Sequence, residues 1–376
     1  MPPRLMRLCL PGNWLPAFPG PRFSTTAHRA QKTSDPLRIL FCGSDEFSIA
    51  ALRALHEEHK ANDGLIQSLD VVVRPGKPTG RGMKTIREVP IKSTAQELGL
   101  RIHELNTFTG WAPFWDVNLI IAVSFGLMVP PRLLRLAKYG GLNLHPSLLP
   151  DLRGPAPLHH TLLQNRSHTG ITLQTLHEAK FDHGTILAQT PLPGIAVPPD
   201  ADLRRLHQLV TPAAAEMLVR GLREGVHVPP HEAVAPNEDV PGLSHAPKLV
   251  KKDRQVRWES WSAEEFVRHQ RVLGPLWTEV MRGTERKRVI LEDGEVVDGV
   301  EGQQRGIRCS TIEKGEDSRG GETVMSFVDT GRSSGGDGSG GVVISMAGGS
   351  FLKVREMKVE GEKKKPAGAV LAAWGS

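Results

Sequence analysis

An asparagine, a histidine and an aspartate carry the most specific chemistry in this chain of 376 residues. Asn143 and His145 lie in the stretch NLHPSLLP, and Asp182 follows in the stretch FDHG, 37 residues after His145. An amide, an imidazole and a carboxylate that converge on one carbonyl carbon can stabilise an oxyanion and move a proton. No Gly-x-Ser-x-Gly elbow and no cysteine near the histidine supplies a nucleophile. The pattern therefore predicts acyl-type transfer without a covalent enzyme intermediate.

The same Asn-x-His stretch also has a purely structural interpretation, as a strand end whose polar groups are satisfied locally in a turn. Its context favours the chemical interpretation. The apolar run 119–123 predicts a strand buried on both faces, residues 133–138 predict a short helix, and residues 142–145 predict a second strand. Asn143 and His145 then lie near the carboxyl end of a strand in an α/β unit, where open α/β sheets bind ligands.

The first strand and helix of the chain resemble the start of a nucleotide-binding sheet. Residues 37–43 predict a strand that ends in glycine, and helical spacing follows over 47–55 with Ser44 or Asp45 as N-cap. A single glycine replaces the Gly-x-Gly-x-x-Gly pattern, so a dehydrogenase-type cofactor site is not expected. Further patterns predict a strand at 69–73, a helix at 89–100, strands at 171–176 and 186–190, and a helical pair at 200–224 interrupted at Pro212.

Residues 74–87 form a basic stretch with five Lys or Arg residues, three glycines, two prolines and no acidic residue. This composition predicts an irregular loop that is neither helix nor strand. Its charge suits a flexible arm that contacts phosphates. A solvated surface loop is the alternative interpretation.

The net charge of +6 is unevenly distributed. Residues 1–34 hold five basic and no acidic residues, so only one net positive charge belongs to the rest of the chain. Nucleic-acid binding must then come from local basic clusters. An Arg-rich, acid-free N-terminus predicts a mitochondrial transit peptide at 1–34, with a disordered basic tail as the alternative. Pro11, Pro16 and Pro19 break the apolar stretch and disfavour a secretory signal.

Two further compositional features exclude other protein classes. No uninterrupted apolar run reaches the length of about 18 residues expected of a transmembrane helix, so no membrane partner is predicted. Cys9, Cys42 and Cys309 are scattered, and they form neither a metal-ligand spacing nor a disulfide framework.

The C-terminal part of the chain has the composition of a linker followed by a second domain. Residues 226–247 are Pro-rich and predict a linker. Residues 248–376 predict a small antiparallel β-barrel, because several short strands follow one another. Within them, residues 315–341 contain nine glycines and five serines and predict a disordered insertion. The predicted elements are a strand at 256–258, a helix at 263–268, and strands at 278–281, 288–291, 342–345 and 351–354.

Taken together, these motifs resemble those of the mitochondrial methionyl-tRNA formyltransferases. The resemblance runs from about Arg38 to Ala372 and is most specific in NLHPSLLP, RGPAP, FDHG and the PTGRG of the basic stretch. It implies an α/β fold: a Rossmann-like formyltransferase core with a mostly parallel sheet at 35–225, and an OB-like antiparallel barrel that holds the tRNA. The core is shared with glycinamide-ribonucleotide formyltransferase and folate hydrolases. The basic stretch and the barrel are the features that resemble the tRNA enzymes in particular.

By this resemblance, Asn143, His145 and Asp182 match the catalytic trio of the family. The formyl donor would be 10-formyltetrahydrofolate, and the acceptor would be the α-amine of initiator methionyl-tRNA. The enzyme would be a monomer of the mitochondrial matrix that needs no metal. Arg81 matches the arginine that probes the tRNA acceptor end. The folate-binding residues would be Phe125, Gly126, Leu127, Ser147, Leu148, Leu149 and Pro150, and the tRNA-binding residues Arg74, Lys77, Arg81, Lys84 and Arg87.

The mechanism expected from charge gives each member of the trio a role. Asn143 and the imidazolium of His145 each donate to the developing oxyanion. Asp182 orients His145, keeps it protonated and relays a proton through water. Two alternatives remain at this point. One is a 10-formyltetrahydrofolate hydrolase or small-molecule formyltransferase on the same core, and the other is a non-catalytic tRNA-binding protein, against which the intact trio argues.

Overall fold

The structure is a computed structural model, and seven stretches of the chain are described. They are residues 32–113, 115–239, 241–282, 284–299, 302–310, 322–330 and 341–374. Residues 1–31 of the predicted transit peptide therefore lie outside the described residues.

The first half of the chain alternates strands and helices around one sheet. In chain order the elements are β1 (Leu37–Gly43), α1 (Glu46–Ala61), β2 (Ile66–Val73), β3 (Lys77–Thr79), β4 (Thr85–Arg87), α2 (Pro90–Glu97), β5 (Ile102–Glu104), β6 (Leu119–Val123), α3 (Pro131–Leu136), β7 (Gly141–His145), α4 (Pro157–Leu163), β8 (His168–Thr169), β9 (Thr172–Thr175), β10 (Ile186–Gln189), β11 (Ile195–Ala196) and α5 (Leu203–Arg223).

The main sheet has seven strands in the order β10-β9-β7-β6-β1-β2-β5. β5, β2, β1, β6 and β7 pair in parallel, whereas β9 and β10 are antiparallel. This confirms the predicted mostly parallel sheet. Alternate residues of β1 face different cores, since Ile39 and Phe41 belong to one cluster and Leu40 and Cys42 to the other. Covering both faces explains the continuous apolar runs of the central strands.

The N-terminal end of α1 is fixed by Asp45, whose carboxylate accepts a hydrogen bond from Ser48 N at 3.0 Å. α5 is one continuous helix, so the predicted interruption at Pro212 was wrong. Pro212 removes one backbone donor, but burial of an apolar face that includes Leu206, Val210 and Leu218 keeps the helix continuous across it.

The basic stretch 74–87 is a β-hairpin, which corrects the prediction of an irregular loop. β3 pairs antiparallel with β4, with Lys77 opposite Arg87 and Thr79 opposite Thr85. A short 3-10 turn over Arg81–Met83 connects the two strands. The glycines that suggested a loop are used at this turn, where Gly80 and Gly82 have φ values of +79° and +77°.

The last three residues of the predicted transit peptide, 32–34, are described and make contacts with a later part of the chain. Ser34 Oγ lies 2.9 Å from His227 Nε2, and Lys32 Nζ donates to Val228 O at 2.9 Å. His227 is fully buried, and this burial lowers its pKa to about 4. Lys32 and Ser34 therefore contact the start of the predicted linker 226–247, and a transit-peptide boundary after residue 34 stays a prediction.

The C-terminal domain is a nine-stranded antiparallel sheet with one helix before it and one after it, which confirms the predicted antiparallel class. The hydrogen-bonded ladder has the order β14-β18-β17-β16-β15-β12-β13-β19-β20. Its elements are α6 (Ala263–Leu273), β12 (Leu276–Arg282), β13 (Glu285–Leu291), β14 (Gly294–Val297), β15 (Gln304–Ser310), β16 (Glu322–Asp329), β17 (Val342–Ser345), β18 (Phe351–Val354), β19 (Glu356–Val359), β20 (Lys365–Pro366) and α7 (Ala367–Trp374).

Two predictions for this domain were wrong. The supposed disordered insertion 315–341 contains β16, which pairs with β15 and β17 and buries Met325 and Phe327. The other residues of that range, except 330 and 341, lie outside the described residues. Residues 256–258 are not a strand, because the pairing is limited to a single bridge between Gln255 and Trp277 and the chain enters a turn at Trp258. None of the described helices is both long and apolar enough to cross a membrane.

Candidate active site

The carboxyl end of β7 and the turn between β9 and β10 bring the predicted trio together. Asn143 and His145 are alternate residues of β7 and therefore point to the same face of the sheet. Asn143 Nδ2 donates to Asp182 Oδ1 at 3.1 Å, and His145 Nδ1 lies 3.5 Å from the same oxygen. The three side chains thus meet at the carboxyl edge of the parallel strands, as the sequence predicted.

Both ring nitrogens of His145 face oxygen atoms. Nε2 donates to Leu152 O at 3.1 Å, and Nδ1 faces the carboxylate of Asp182. This arrangement suits an imidazolium, which has two N–H donors. Because Nε2 already bonds Leu152 O and Nδ1 faces Asp182, neither ring nitrogen of His145 is positioned for the direct hydrogen bond to an oxyanion that the sequence predicted. Asn143 has two amide N–H donors, of which one is directed at Asp182.

Asp182 occupies the left-handed backbone region, with φ of +58°. Its side chain is 10% exposed, and Oδ2 accepts a hydrogen bond from Gly154 N at 2.9 Å. Oδ1 also lies 3.5 Å from Gln174 Nε2. A left-handed aspartate costs about 1 kcal/mol or more, and these bonds to the carboxylate offset that cost.

Two glycines allow the backbone to approach closely beside the trio. A Cβ at Gly154, where φ is +124°, would lie 2.4 Å from Ala246 O. A Cβ at Gly184 would lie 1.7 Å from Thr175 O. No side chain fits at either position, which gives a physical reason for glycine in RGPAP and in FDHG.

Two residues that donate hydrogen bonds to the Asp182 turn were not predicted as site residues from the sequence. Arg153 is 3% exposed, and its Nε donates to the backbone oxygen of Asp182 at 3.0 Å. Asn237 Nδ2 donates to the same oxygen at 3.2 Å. Arg153 stands beside the glycine of RGPAP, so the motif offered a signal for it. Asn237 lies in the Pro-rich stretch 226–247 that was predicted as a linker, where composition gave no signal for a site residue.

Comparison with known proteins gives the family. The sequence profile described as "Formyl transferase" matches residues 37–222. The mitochondrial methionyl-tRNA formyltransferase of Saccharomyces cerevisiae is 33% identical over 290 residues, covering 66% of this chain and 71% of the yeast protein. The chain belongs to the methionyl-tRNA formyltransferase family.

A second relative, from human mitochondria, agrees with the methionyl-tRNA formyltransferase family. The human mitochondrial enzyme is 34% identical over 254 residues, covering 66% of this chain and 61% of the human protein. The crystal structure of HypX from Aquifex aeolicus with tetrahydrofolic acid has a TM-score of 0.46 and 17% identity, covering 90% of this chain and 47% of that one. Family membership confirms the predicted formyltransferase enzyme, and the names of these relatives do not favour the hydrolase alternative.

In this methionyl-tRNA formyltransferase fold, the predicted folate residues follow β6 and β7, beyond the carboxyl ends of adjacent strands. Ser147 is buried and its hydroxyl donates to Asp151 O at 2.8 Å, within the loop that follows β7. Phe125 and Leu149 are buried as well, whereas Gly126 is exposed and Leu127, Leu148 and Pro150 are half-buried. Leu127 lines a cavity of about 350 Å³ together with Thr107, Phe108, Thr109, Gly110, Met128, Pro130 and Arg132.

The predicted tRNA residues lie on or beside the hairpin of β3 and β4. Lys77, Lys84 and Arg87 are exposed on it, and Arg74 is half-buried where β2 ends. Arg81 begins the turn at the tip of the hairpin. Because β2 and β7 run in parallel, the hairpin leaves the sheet at the same edge as the trio. Among the described residues no group of His, Cys, Asp or Glu is arranged to hold a metal ion.

Proposed function

We propose that the protein transfers the formyl group of 10-formyltetrahydrofolate to the α-amine of methionine on initiator tRNA, in the mitochondrial matrix. The observation that carries the proposal is the convergence of Asn143, His145 and Asp182 at the carboxyl edge of a formyltransferase sheet. The yeast and human relatives, both named mitochondrial methionyl-tRNA formyltransferases, support the choice of acceptor and compartment.

The transfer needs one new bond, one broken bond and one proton relay. The amine nitrogen attacks the formyl carbon, and the carbonyl oxygen becomes an oxyanion. The bond from that carbon to the donor nitrogen then breaks, the amine loses a proton and the departing nitrogen takes one. The carboxylate of Asp182 lies where it can pass this proton through water.

The hydrogen bonds of the trio support different roles for Asn143 and His145 in this proposal. The second amide N–H of Asn143 is the donor for the oxyanion, and losing such a donor typically costs roughly 10²–10³ in rate. His145 acts through its positive charge rather than through a direct hydrogen bond, because Nε2 is held by Leu152 O. In a site with low water content that charge stabilises the oxyanion at short range.

The folate donor would bind along the two loops that follow β6 and β7. Phe125, Gly126, Leu127, Ser147, Leu148, Leu149 and Pro150 would contribute mainly backbone groups and apolar surface. The loop after β7 is tied to β9, since Thr172 Oγ1 donates to Ser147 O at 2.7 Å and Leu149 N donates to Thr172 Oγ1 at 3.1 Å. A loop stiffened in this way can present fixed backbone donors and acceptors to the polar pterin ring of the folate.

The tRNA acceptor end would meet the hairpin. Exposed cations attract phosphates without sequence preference, and Lys77, Lys84 and Arg87 have this accessibility. Arg81 at the tip, with Arg74 at the base, completes the predicted set. The antiparallel C-terminal domain would hold the body of the tRNA, and a monomer suffices for this arrangement.

Formylation by purified protein tests the proposal. The protein is incubated with 10-formyltetrahydrofolate and either methionyl-initiator tRNA, free methionine or no acceptor, and formyl-methionyl-tRNA and released formate are both measured. We expect formylation with tRNA and little formate without it. Folate consumption with no formyl-methionyl-tRNA would support the hydrolase instead. For the compartment, a fusion lacking residues 1–31 should fail to enter mitochondria while the purified truncated protein stays active.

A further inference from the structure

The interdomain linker contacts the turn that carries Asp182, and we propose that Asn237 and Arg153 position this carboxylate for catalysis. Both donate to the backbone oxygen of Asp182, at 3.2 Å from Asn237 Nδ2 and 3.0 Å from Arg153 Nε. The inference rests on the proposed function, since it assigns positioning residues to the same site. It makes part of the linker a component of the active site rather than a passive connection.

Arg153 bridges the turn and the linker with every nitrogen of its guanidinium. While Nε bonds the turn, Nη2 donates to Asn237 O at 2.6 Å and to Asn237 Oδ1 at 2.8 Å. Nη1 pairs with the carboxylate of Asp239. Because the guanidinium is planar and the residue is 3% exposed, these bonds fix the linker and the turn relative to each other.

The amide of Asn237 has only one orientation that satisfies its surroundings. Its Nδ2 faces three acceptors, namely Asp182 O, Gly184 O at 2.6 Å and Gln174 Oε1 at 3.4 Å. Its Oδ1 faces a donor of Arg153. The donor side of the amide is therefore directed at the catalytic turn, and the acceptor side at the guanidinium.

The rest of the linker is anchored on both sides of this contact. Val234 N donates to Ile186 O at 2.9 Å, just after the turn. Leu152 N donates to Ser244 O at 2.8 Å, within the loop that follows β7. Backbone hydrogen bonds on both sides of Asn237 thus hold this part of the linker in place, and they keep its side chain at the turn.

Positioning of Asp182 follows from its backbone conformation. At φ of +58° the carboxylate reaches Asn143 and His145, and the backbone oxygen points toward Arg153 and Asn237. Without these donors the residue can relax toward negative φ, which moves the carboxylate away from its partners. A displacement of about 1 Å costs up to about 10²-fold in rate.

The first experiment compares Asn237→Ala with the neighbouring control Glu238→Ala, whose side chain is exposed. We expect Asn237→Ala to lower kcat by roughly 10- to 100-fold, while KM for folate and for tRNA changes less than about twofold. Asn237→Asp keeps an acceptor for Arg153 but loses the donor, so it should stay as slow as Asn237→Ala. An Asn237→Ala kcat equal to that of Glu238→Ala, or full activity of Asn237→Asp, would overturn the proposal.

A second experiment separates positioning from general stability. In an Asp182→Ala background, Asn237→Ala should cause no further loss of the residual rate, because its effect acts through the missing carboxylate. An equal additional loss would overturn the positioning role. If Asp182→Ala itself kept full transfer activity, the proposed catalytic trio would fail. A slow Asp182→Ala with a fully active Asn237→Ala would overturn only the linker inference.

Discussion

Two segments lie beyond the carboxyl ends of the parallel strands: the turn that carries Asp182, and the hairpin of β3 and β4. They differ in how many hydrogen bonds hold them in place and in how exposed their charged groups are. The carboxylate and backbone oxygen of Asp182 accept hydrogen bonds from five residues in four segments, namely β7, the loop after it, β9 and the predicted linker. The hairpin has three paired residues on each strand, and its cations at 77, 84 and 87 are exposed. A proton relay needs a group held in one place, whereas contact with a phosphate backbone needs accessible charge.

The largest effect should come from removing the carboxylate from the fixed turn. Asp182→Ala should lower the transfer rate by roughly 10²–10⁴ with folding intact, because it removes both the proton relay and the partner of His145. His145→Ala should behave similarly, and the double variant should cost little more than either single one. Steady-state formylation of methionyl-tRNA measures this. Near-normal turnover of either single variant would remove that residue from the mechanism.

A matched pair of glycine substitutions tests whether the catalytic turn is more tightly constrained than the hairpin. Gly184→Ala should cost about 3 kcal/mol of unfolding free energy, since its Cβ would lie 1.7 Å from Thr175 O. Gly82→Ala should cost only about 1 kcal/mol from its positive φ, because its Cβ would meet nothing closer than the Lys84 side chain at 3.9 Å. Chemical denaturation gives both values. Equal costs would show that the hairpin is as constrained as the catalytic turn.

Arg81→Ala addresses the function of the hairpin tip. By the family resemblance this arginine would probe the tRNA acceptor end, so its loss should slow tRNA formylation by roughly 10- to 100-fold. Folate binding should stay nearly unchanged, because the proposed folate loops follow other strands. The measurement is formylation rate together with the dissociation constant of the folate. Equal damage to both would make the hairpin a part of the folate site.

The sequence predicted the trio at the Asp182 turn but neither its contact with Asn237 nor the hairpin. The trio was predictable because each side chain sits in a short motif, and strand ends of a parallel sheet meet at one edge. Asn237 was not, since its contact with Asp182 joins residues 55 positions apart across a linker of unremarkable composition. The hairpin was missed because three-residue strands carry little periodicity and its glycines suggested a loop.

Two longer elements, β16 and α5, were also predicted incorrectly from the sequence. β16 was not predicted, because glycines and serines on both sides dominate the composition of 315–341. Within the strand, Met325 and Phe327 alternate with less buried residues. The continuity of α5 across Pro212 was unpredictable for a different reason. Proline disfavours a helix locally, and only the burial of the helix against its neighbours overrides that preference.

The smallest effect should come from a single exposed cation of the hairpin. Lys84 is exposed next to the tip and, as a phosphate contact, contributes through release of counterions. Lys84→Ala should weaken tRNA binding mildly and reduce the slope of log binding constant against log salt concentration by about one unit. Lys60→Ala is the matched control, because Lys60 lies in the last turn of α1, which runs back to the opposite edge of the sheet. An unchanged slope for Lys84→Ala, or the same reduction for Lys60→Ala, would mean that the hairpin is a solvated surface feature, and binding of tRNA would then depend on the C-terminal domain.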